Sequence, residues 1–272
     1  MSIKLIAVDM DGTFLSDQKT YNRDRFMAQY QQMKRQGIRF VVASGNQYYQ
    51  LISFFPEIAH EIAFVAENGG WVVSEGEDIF NGELTKADFQ AVVEHLLTRA
   101  DVEIIACGKK QRLHAETLRR CVKKPLRQCI IIVWSLWIIS TISAMFFSNS
   151  ALILPMNGYR QYRRRCTTPL AISWSPVHTG YGSIDLIIPG VHKANGLRLL
   201  QQRWGIHDSE VVVFGDGGND IEMLRQAGFS FAMSHASEAV AAAAKYRAGS
   251  NNQEGVLDII DSVLNNEPPF NV

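Results

Sequence analysis

At 272 residues the chain exceeds a typical single domain and is long enough to bury one full core plus an inserted module. Its 27 basic and 27 acidic residues cancel, but unevenly: twelve basic residues and a single acidic one, Glu116, fall between Lys109 and Trp174, leaving 15 basic against 26 acidic elsewhere. An acidic remainder excludes nucleic acid as the expected partner. The four cysteines lack the pair spacing of a metal site and need no disulfide framework, and Met1-Ser2-Ile3-Lys4 leads into a core strand without a basic, apolar leader, so the expected compartment is the cytoplasm.

In chain order, residues 3–8 read as a strand, 22–36 as a helix, 38–43 as a strand, 47–54 as a short helix and 62–66 as a third strand. Trp71-Val72-Val73 and Asp78-Ile79-Phe80 form a hairpin turning at Gly76. Residues 86–99, with Phe89, Val92, Val93 and Leu96 at helical spacing, open an inserted segment, 102–106 is a strand within it, and Ile184 to Ile188 is its last strand. After re-entry near Pro189-Gly190 come a helix from Ala194 to Trp204, a strand at 210–214, a helix after Gly218, a strand at 229–232, a helix over 236–244 and a final helix over 254–264 capped by Asn251 or Asn252. Strands alternating with helices predict an α/β fold, a doubly wound Rossmann-like parallel sheet joined by right-handed crossovers. The expected division is a core over 1–84 and 189–272, with an α/β cap domain inserted at 85–188.

Chemistry-bearing residues cluster at predicted strand ends. Asp9 and Asp11 stand just beyond the apolar run Lys4-Leu5-Ile6-Ala7-Val8, in Asp9-Met10-Asp11-Gly12-Thr13, and open α/β sheets bind ligands beyond the carboxyl ends of such strands. Side chains at i and i+2 of an extended chain point the same way, so the two carboxylates can flank one centre. Like charges this close call for a cation or a shared proton. Phe40-Val41-Val42-Ala43 leads into Ser44-Gly45-Asn46, Glu210 to Phe214 leads into Gly215-Asp216-Gly217-Gly218-Asn219-Asp220, and Lys193 immediately precedes the Ala194 helix. Singly these are ordinary turn or surface residues. Together they provide oxygen ligands for a hard cation such as Mg2+, a hydroxyl at Ser44 beside Gly45 for a phosphate oxygen, and a point charge at Lys193.

This order of motifs resembles that of the haloacid dehalogenase-like phosphohydrolase superfamily: Asp9 to Thr13 matches its first motif, Ser44 its second, Lys193 its third and Gly215 to Asp220 its fourth. The wide gap between Ser44 and Lys193 is similar to the branch with a large α/β cap. Glu67-Asn68-Gly69-Gly70 and Gly190 to Leu197 resemble the Cof-type sugar-phosphate phosphatases of enteric bacteria, although Asn46 stands where many relatives carry Arg. The resemblance implies Mg2+-dependent hydrolysis of phosphomonoesters, with small sugar phosphates as substrates and Asp9 as the nucleophile that becomes an aspartyl-phosphate. It implies Asp11 as acid and then base, and Mg2+ on Asp9, the Asp11 carbonyl and Asp216, supported by Asp220 and Asn219. Ser44, Gly45 and Lys193 would hold the phosphate. Asn46 and Asn219, with Gln47, Asn68, His178, Tyr181 and Asp185, are candidate substrate contacts. The partners implied are small phosphorylated metabolites and no membrane, for a monomer or weak homo-oligomer. Competing readings are a flavin or pyridoxal-phosphate phosphatase, a phosphosugar mutase, whose relatives usually carry smaller helical caps, and a non-enzymatic binding module with a damaged cap.

The segment 109–174 departs from the rest. It holds Cys121, Cys129, Cys166, Trp134, Trp137 and Trp174, and Ile130 to Phe147 is an 18-residue run without a charge, preceded by Lys123, Lys124 and Arg127. By pattern that is a membrane span. A crossing there would put Lys193 and Asp216 on the far side of a bilayer from Asp9, dividing one site, so a span is not expected. An orderly pattern returns at Pro176-Val177-His178-Thr179-Gly180. The segment reads instead as translation from a shifted frame between two intact parts, and no functional residue is assigned within it.

Overall fold

The computed structural model describes residues 2–82, 103–108, 147–153, 175–180, 183–187 and 190–271. The chain divides into two compact units, one formed by Met1–Phe80 with His192–Val272 and the other by Asn81–Val191. In the first unit the strands β1 (Leu5–Val8), β2 (Arg39–Ala43), β3 (Ala63–Ala66), β4 (Trp71–Ser74), β5 (Glu77–Asn81), β10 (Val211–Gly215), β11 (Phe229–Ala232) and β12 (Tyr246–Arg247) form one sheet, ordered β12-β11-β10-β1-β2-β3-β4-β5. Neighbours from β12 to β3 run parallel, and β4 turns back antiparallel to β3.

Period-two alternation explains why these strands read as continuous apolar runs. Ile6 and Val8, Phe40 and Val42, and Val212 and Phe214 face one layer, with Phe26, Tyr30 and Met33 of α1 (Arg23–Gln36) and Val256, Leu257 and Ile260 of α6 (Gly255–Leu264). Leu5 and Ala7, Val41 and Ala43, and Val211 and Val213 face the other. There they meet Leu197 and Leu200 of α3 (Lys193–Trp204) and Met223 and Leu224 of α4 (Ile221–Gln226). Every residue of β1 and β10 is buried because both faces are covered. A short α2 (Tyr48–Ser53) follows β2. The chain leaves β1 toward β2 on one side and later returns to β10 on the other, so a topological switch point lies between β1 and β10.

Two local expectations are corrected. The helix expected over 236–244 is confined to α5 (Glu238–Ala241), because the chain must turn to lay β12 along β11; the Lys245 N–H is held by Ser230 Oγ at 3.0 Å and its ammonium by the Gly228 carbonyl at 2.8 Å. Neither Asn251 nor Asn252 caps the final helix. Both lie in a 3-10 turn capped by Ser250, and α6 begins after Glu254 in a left-handed conformation, φ 60°. Asn251 instead donates to the Leu15 carbonyl at 3.0 Å and to Asp17 at 3.2 Å, with Asn252 also on Asp17 at 3.0 Å. A long-range tether has taken the side chain that local pattern assigned to a cap.

In the second unit β6 (Glu103–Gly108), β7 (Phe147–Ile153), β8 (Ser175–Gly180) and β9 (Ser183–Ile187) form an antiparallel sheet ordered β6-β7-β9-β8. β6 and β9 occupy the strands expected near 102–106 and 184–188, whereas the helix expected over 86–99 lies outside the described residues. So does the segment 109–174 with its shifted-frame reading, apart from Phe147–Ile153. Among the described residues no helix is long and apolar enough to cross a membrane.

Gly196 sets how closely α3 lies on the sheet: a Cβ there would stand 2.5 Å from Val65 Cγ1 and 3.1 Å from Val72 Cγ2. Ala would gain about 1 kcal/mol of helix propensity, but overpacking a filled core costs about 1–3 kcal/mol. Gly196→Ala is therefore expected to lower the urea midpoint. An unchanged or raised midpoint would show that β3 and β4 yield to the extra methyl.

Candidate active site

The site is assembled at the switch point. The Asp9 N–H continues the β1–β10 pairing with a bond to the Phe214 carbonyl at 3.1 Å. The chain then doubles back through Phe14 N–H to Asp9 O at 3.2 Å and Leu15 N–H to Met10 O at 2.9 Å. Gly12 makes this turn at φ 79°, and a Cβ on it would come within 2.6 Å of Asp216 Oδ2, so both conformation and space demand glycine. Buried Thr13 donates its hydroxyl to Asp216 Oδ1 at 2.7 Å, tying the loop after β1 to the loop after β10.

Lys193, wholly buried at the first turn of α3, lies between two carboxylates: its Nζ is 2.7 Å from Asp9 Oδ1 and 2.7 Å from Asp220 Oδ1. Asp220 accepts with its other oxygen from the backbone N–H groups of Asp216 at 3.0 Å and Gly217 at 2.9 Å, which fixes the Gly215-to-Asp220 loop. Carboxylate oxygens of Asp9, Asp216 and Asp220 lie within 4.8 Å of one another. Burial pushes the Asp9 carboxyl well above the usual carboxylate range, Lys193 pulls it down, and Asp220 and Asp216 push it up. Burial likewise raises Asp220 against the opposing pull of Lys193. For Lys193 itself burial favours the neutral amine, but Asp220 and Asp9 outweigh it and hold the ammonium above its ordinary pKa.

The donor set fits Mg2+. Three carboxylates against one ammonium leave excess negative charge when all are ionised, and a divalent cation with hard-oxygen preference offsets it.

The other predicted residues fall around this cluster. Ser44, buried at the end of β2, accepts the Asn46 N–H on its hydroxyl at 3.1 Å, with half-buried Gly45 between them. The Asp11 carboxylate is not part of the acidic cluster: it is held by Lys19 Nζ at 2.6 Å and Asn46 Nδ2 at 2.6 Å. Asn219 donates to Asn68 Oδ1 at 2.8 Å, linking the loop after β10 to the loop after β3. In that second loop Glu67 and Asn68 both have positive φ, 53° and 55°, and Gly69 at φ 96° passes so close to the chain before α3 that a Cβ would meet the His192 carbonyl at 2.5 Å. Gln47 precedes α2, His178 lies in β8 and Asp185 in β9, whereas Tyr181 falls outside the described residues. Sequence reasoning gave no role to Thr13, Lys19 or His235, whose Nε2 lies 3.3 Å from Asp216 Oδ2. Thr13 was within reach through its place in the Asp9 motif; Lys19 and His235 arrive by tertiary folding and carry no local signal.

The sequence profile of the haloacid dehalogenase-like hydrolases matches residues 6–260, and the chain belongs to that family. It is 67% identical over 270 residues to the 5-amino-6-(5-phospho-D-ribitylamino)uracil phosphatase YbjI of Escherichia coli strain K12, covering 99% of each chain. It is 24% identical to a phosphoglycolate phosphatase of Methanopyrus kandleri, covering 96% of this chain and 97% of that one. The crystal structure of SMU.1108c from Streptococcus mutans UA159 superposes with a TM-score of 0.83 at 32% identity, covering 97% of this chain and all of the other. With its cation-binding acidic cluster, the protein is a phosphatase that hydrolyses phosphomonoesters with Mg2+.

Removing the buried ammonium leaves Asp9 and Asp220 without their counter-charge, and breaking a buried pair this way costs about 3–5 kcal/mol. Lys193→Met is expected to melt well below the parent in EDTA and to gain more from added Mg2+ than the parent does. Equal Mg2+ shifts in differential scanning calorimetry would show that ammonium and cation do not share the same charges.

Proposed function

We propose that the enzyme removes the terminal phosphate from small sugar and polyol phosphates by double displacement through Asp9. The contact of Lys193 with Asp9 carries this reading: a buried carboxylate is a nucleophile only while ionised, and the ammonium 2.7 Å away favours that form. In the first step an Asp9 oxygen attacks phosphorus, the bond to the leaving oxygen breaks, and Asp11 gives that oxygen its proton. In the second, Asp11 takes a proton from water as the water attacks phosphorus and the bond to Asp9 breaks. Ser44, Gly45 and Lys193 hold the phosphoryl oxygens. Asp9, Asp216 and the Asp11 carbonyl would hold Mg2+ with Asp220 behind them, and the bound ion would neutralise charge on the phosphoryl group.

Because YbjI is by name a phosphatase of 5-amino-6-(5-phospho-D-ribitylamino)uracil at 67% identity, that compound, a polyol chain ending in a phosphate, is the first substrate to assay. We assign leaving-group selection to the cap inserted at 85–188 between the core parts 1–84 and 189–272. The reading places the enzyme in the cytoplasm, as a monomer or weak homo-oligomer acting on small phosphorylated metabolites and not on nucleic acid.

Asp9→Asn removes the nucleophile while keeping its shape. Its kcat is expected to fall on the order of 10⁴-fold or more, with circular dichroism unchanged and parent activity abolished by EDTA. Near-normal phosphate release by a pure Asp9→Asn preparation would overturn the covalent assignment. Hydrolysis rates across a panel of phosphorylated metabolites with Mg2+ test the substrate class; a preference for flavin or pyridoxal phosphates over polyol and sugar phosphates would contradict it.

A further inference from the structure

Asn46 stands in the second motif where many relatives carry a charged side chain, yet the structure places it on an acidic residue. Its side-chain amide donates to Asp11 Oδ2 at 2.6 Å. A carboxylate only accepts, so the NH2 end of the amide faces Asp11. Asn46 is itself fixed from both sides: its backbone N–H donates to Ser44 Oγ at 3.1 Å and its carbonyl accepts the Glu67 N–H at 3.0 Å. The other oxygen of Asp11, Oδ1, is held by Lys19 at 2.6 Å, but that lysine side chain is 52% exposed and on a flexible stem. One donor to Asp11 is therefore anchored in the backbone of the site, and the other comes from a half-exposed side chain on a long stem.

We propose that Asn46 is a positioning residue for the acid-base step: by donating to Oδ2 of Asp11 from a backbone-anchored amide it fixes the plane of the carboxyl group, and with it the direction in which Oδ1 faces the leaving group. The inference rests on the reading of Asp11 as general acid and base. As the phosphorus–oxygen bond breaks, the proton on Oδ1 passes to the departing alkoxide and Asp11 is left as a carboxylate. It takes a proton back from water in the second step. The amide gives up no proton and needs none, which suits a residue that must orient a titrating carboxylate without titrating itself. The same residue also directs the phosphate-holding hydroxyl. With a Ser44 lone pair engaged by the Asn46 N–H, the Ser44 hydroxyl proton is turned away from that bond and is available to a phosphoryl oxygen. An arginine at this position would bring a full charge to Asp11, whereas the neutral amide supplies orientation alone.

The test separates positioning from binding by leaving-group dependence. An alkyl phosphate needs its departing oxygen protonated, whereas p-nitrophenolate leaves without help, and kcat/KM reports the steps up to departure of the leaving group. General acid catalysis supplies about 10²–10⁴-fold, so a misaligned acid should forfeit part of that on alkyl esters alone. For Asn46→Ala, kcat/KM with a polyol or sugar phosphate is expected to fall roughly tenfold to a hundredfold further than kcat/KM with p-nitrophenyl phosphate. Asn46→Asp, which keeps the shape but sets an acceptor against Asp11, is expected to show the same contrast. Lys19→Met is expected to show less of it than either. Equal losses on both substrates in both Asn46 variants, or no loss on the alkyl ester, would overturn the proposal. Alkyl phosphate turnover by the parent enzyme is measured first: its absence would refute the phosphatase reading itself, while its presence with equal losses in the variants would refute only the role of Asn46.

Discussion

A fully buried ammonium shared by two carboxylates is the constraint on which the site depends. Lys193 opens α3, Asp9 closes β1 and Asp220 ends the loop after β10, so one cation pins three separately folded segments to a common point. Such a cluster is weak evidence for stability, since desolvating the charges takes back much of what their attraction gives. Its value is chemical. Its ammonium draws Asp9 toward the ionised form against the burial that opposes it, and three carboxylates facing one ammonium present negative charge that a divalent cation can offset.

Close approach is the second requirement, and glycine meets it at three points around the site. A Cβ at Gly12 would strike Asp216, one at Gly69 the His192 carbonyl, and one at Gly215 the Asp220 side chain at 2.5 Å. The consecutive left-handed residues Glu67 and Asn68 store backbone strain at the same place. They put Asn68 where Asn219 reaches it and aim the Glu67 N–H at the Asn46 carbonyl. This conformation ties the loops after β2, β3 and β10 together beside the acidic cluster.

The core was legible because its strands are buried on both faces and so appear as unbroken apolar runs, each ending in polar residues that mark the ligand edge. Asp9, Ser44 and Asp216 could be named as one set because each stands one residue beyond such an end, and Lys193 joined them from the start of a helix. What stayed hidden was which side chains meet. Nothing near Asp11 signals that its partners would be Lys19 and Asn46, nothing near His235 points to Asp216, and Asn251 looks like a helix cap until the loop at Leu15 and Asp17 claims it. β12 is only two residues long, too short for any periodicity. β7 lies in the stretch whose composition departs from the rest, so no strand pattern was read there.

The central claim, that the buried Asp9 carboxylate attacks phosphorus and is later released by water, is tested most directly by the stereochemistry of transfer. A substrate whose phosphate is made chiral with oxygen isotopes and sulfur is hydrolysed in labelled water, and the configuration of the released thiophosphate is read. Two successive in-line displacements predict net retention of configuration at phosphorus. Inversion would mean that water attacks the substrate itself, and that Asp9 serves the reaction without bonding to phosphorus.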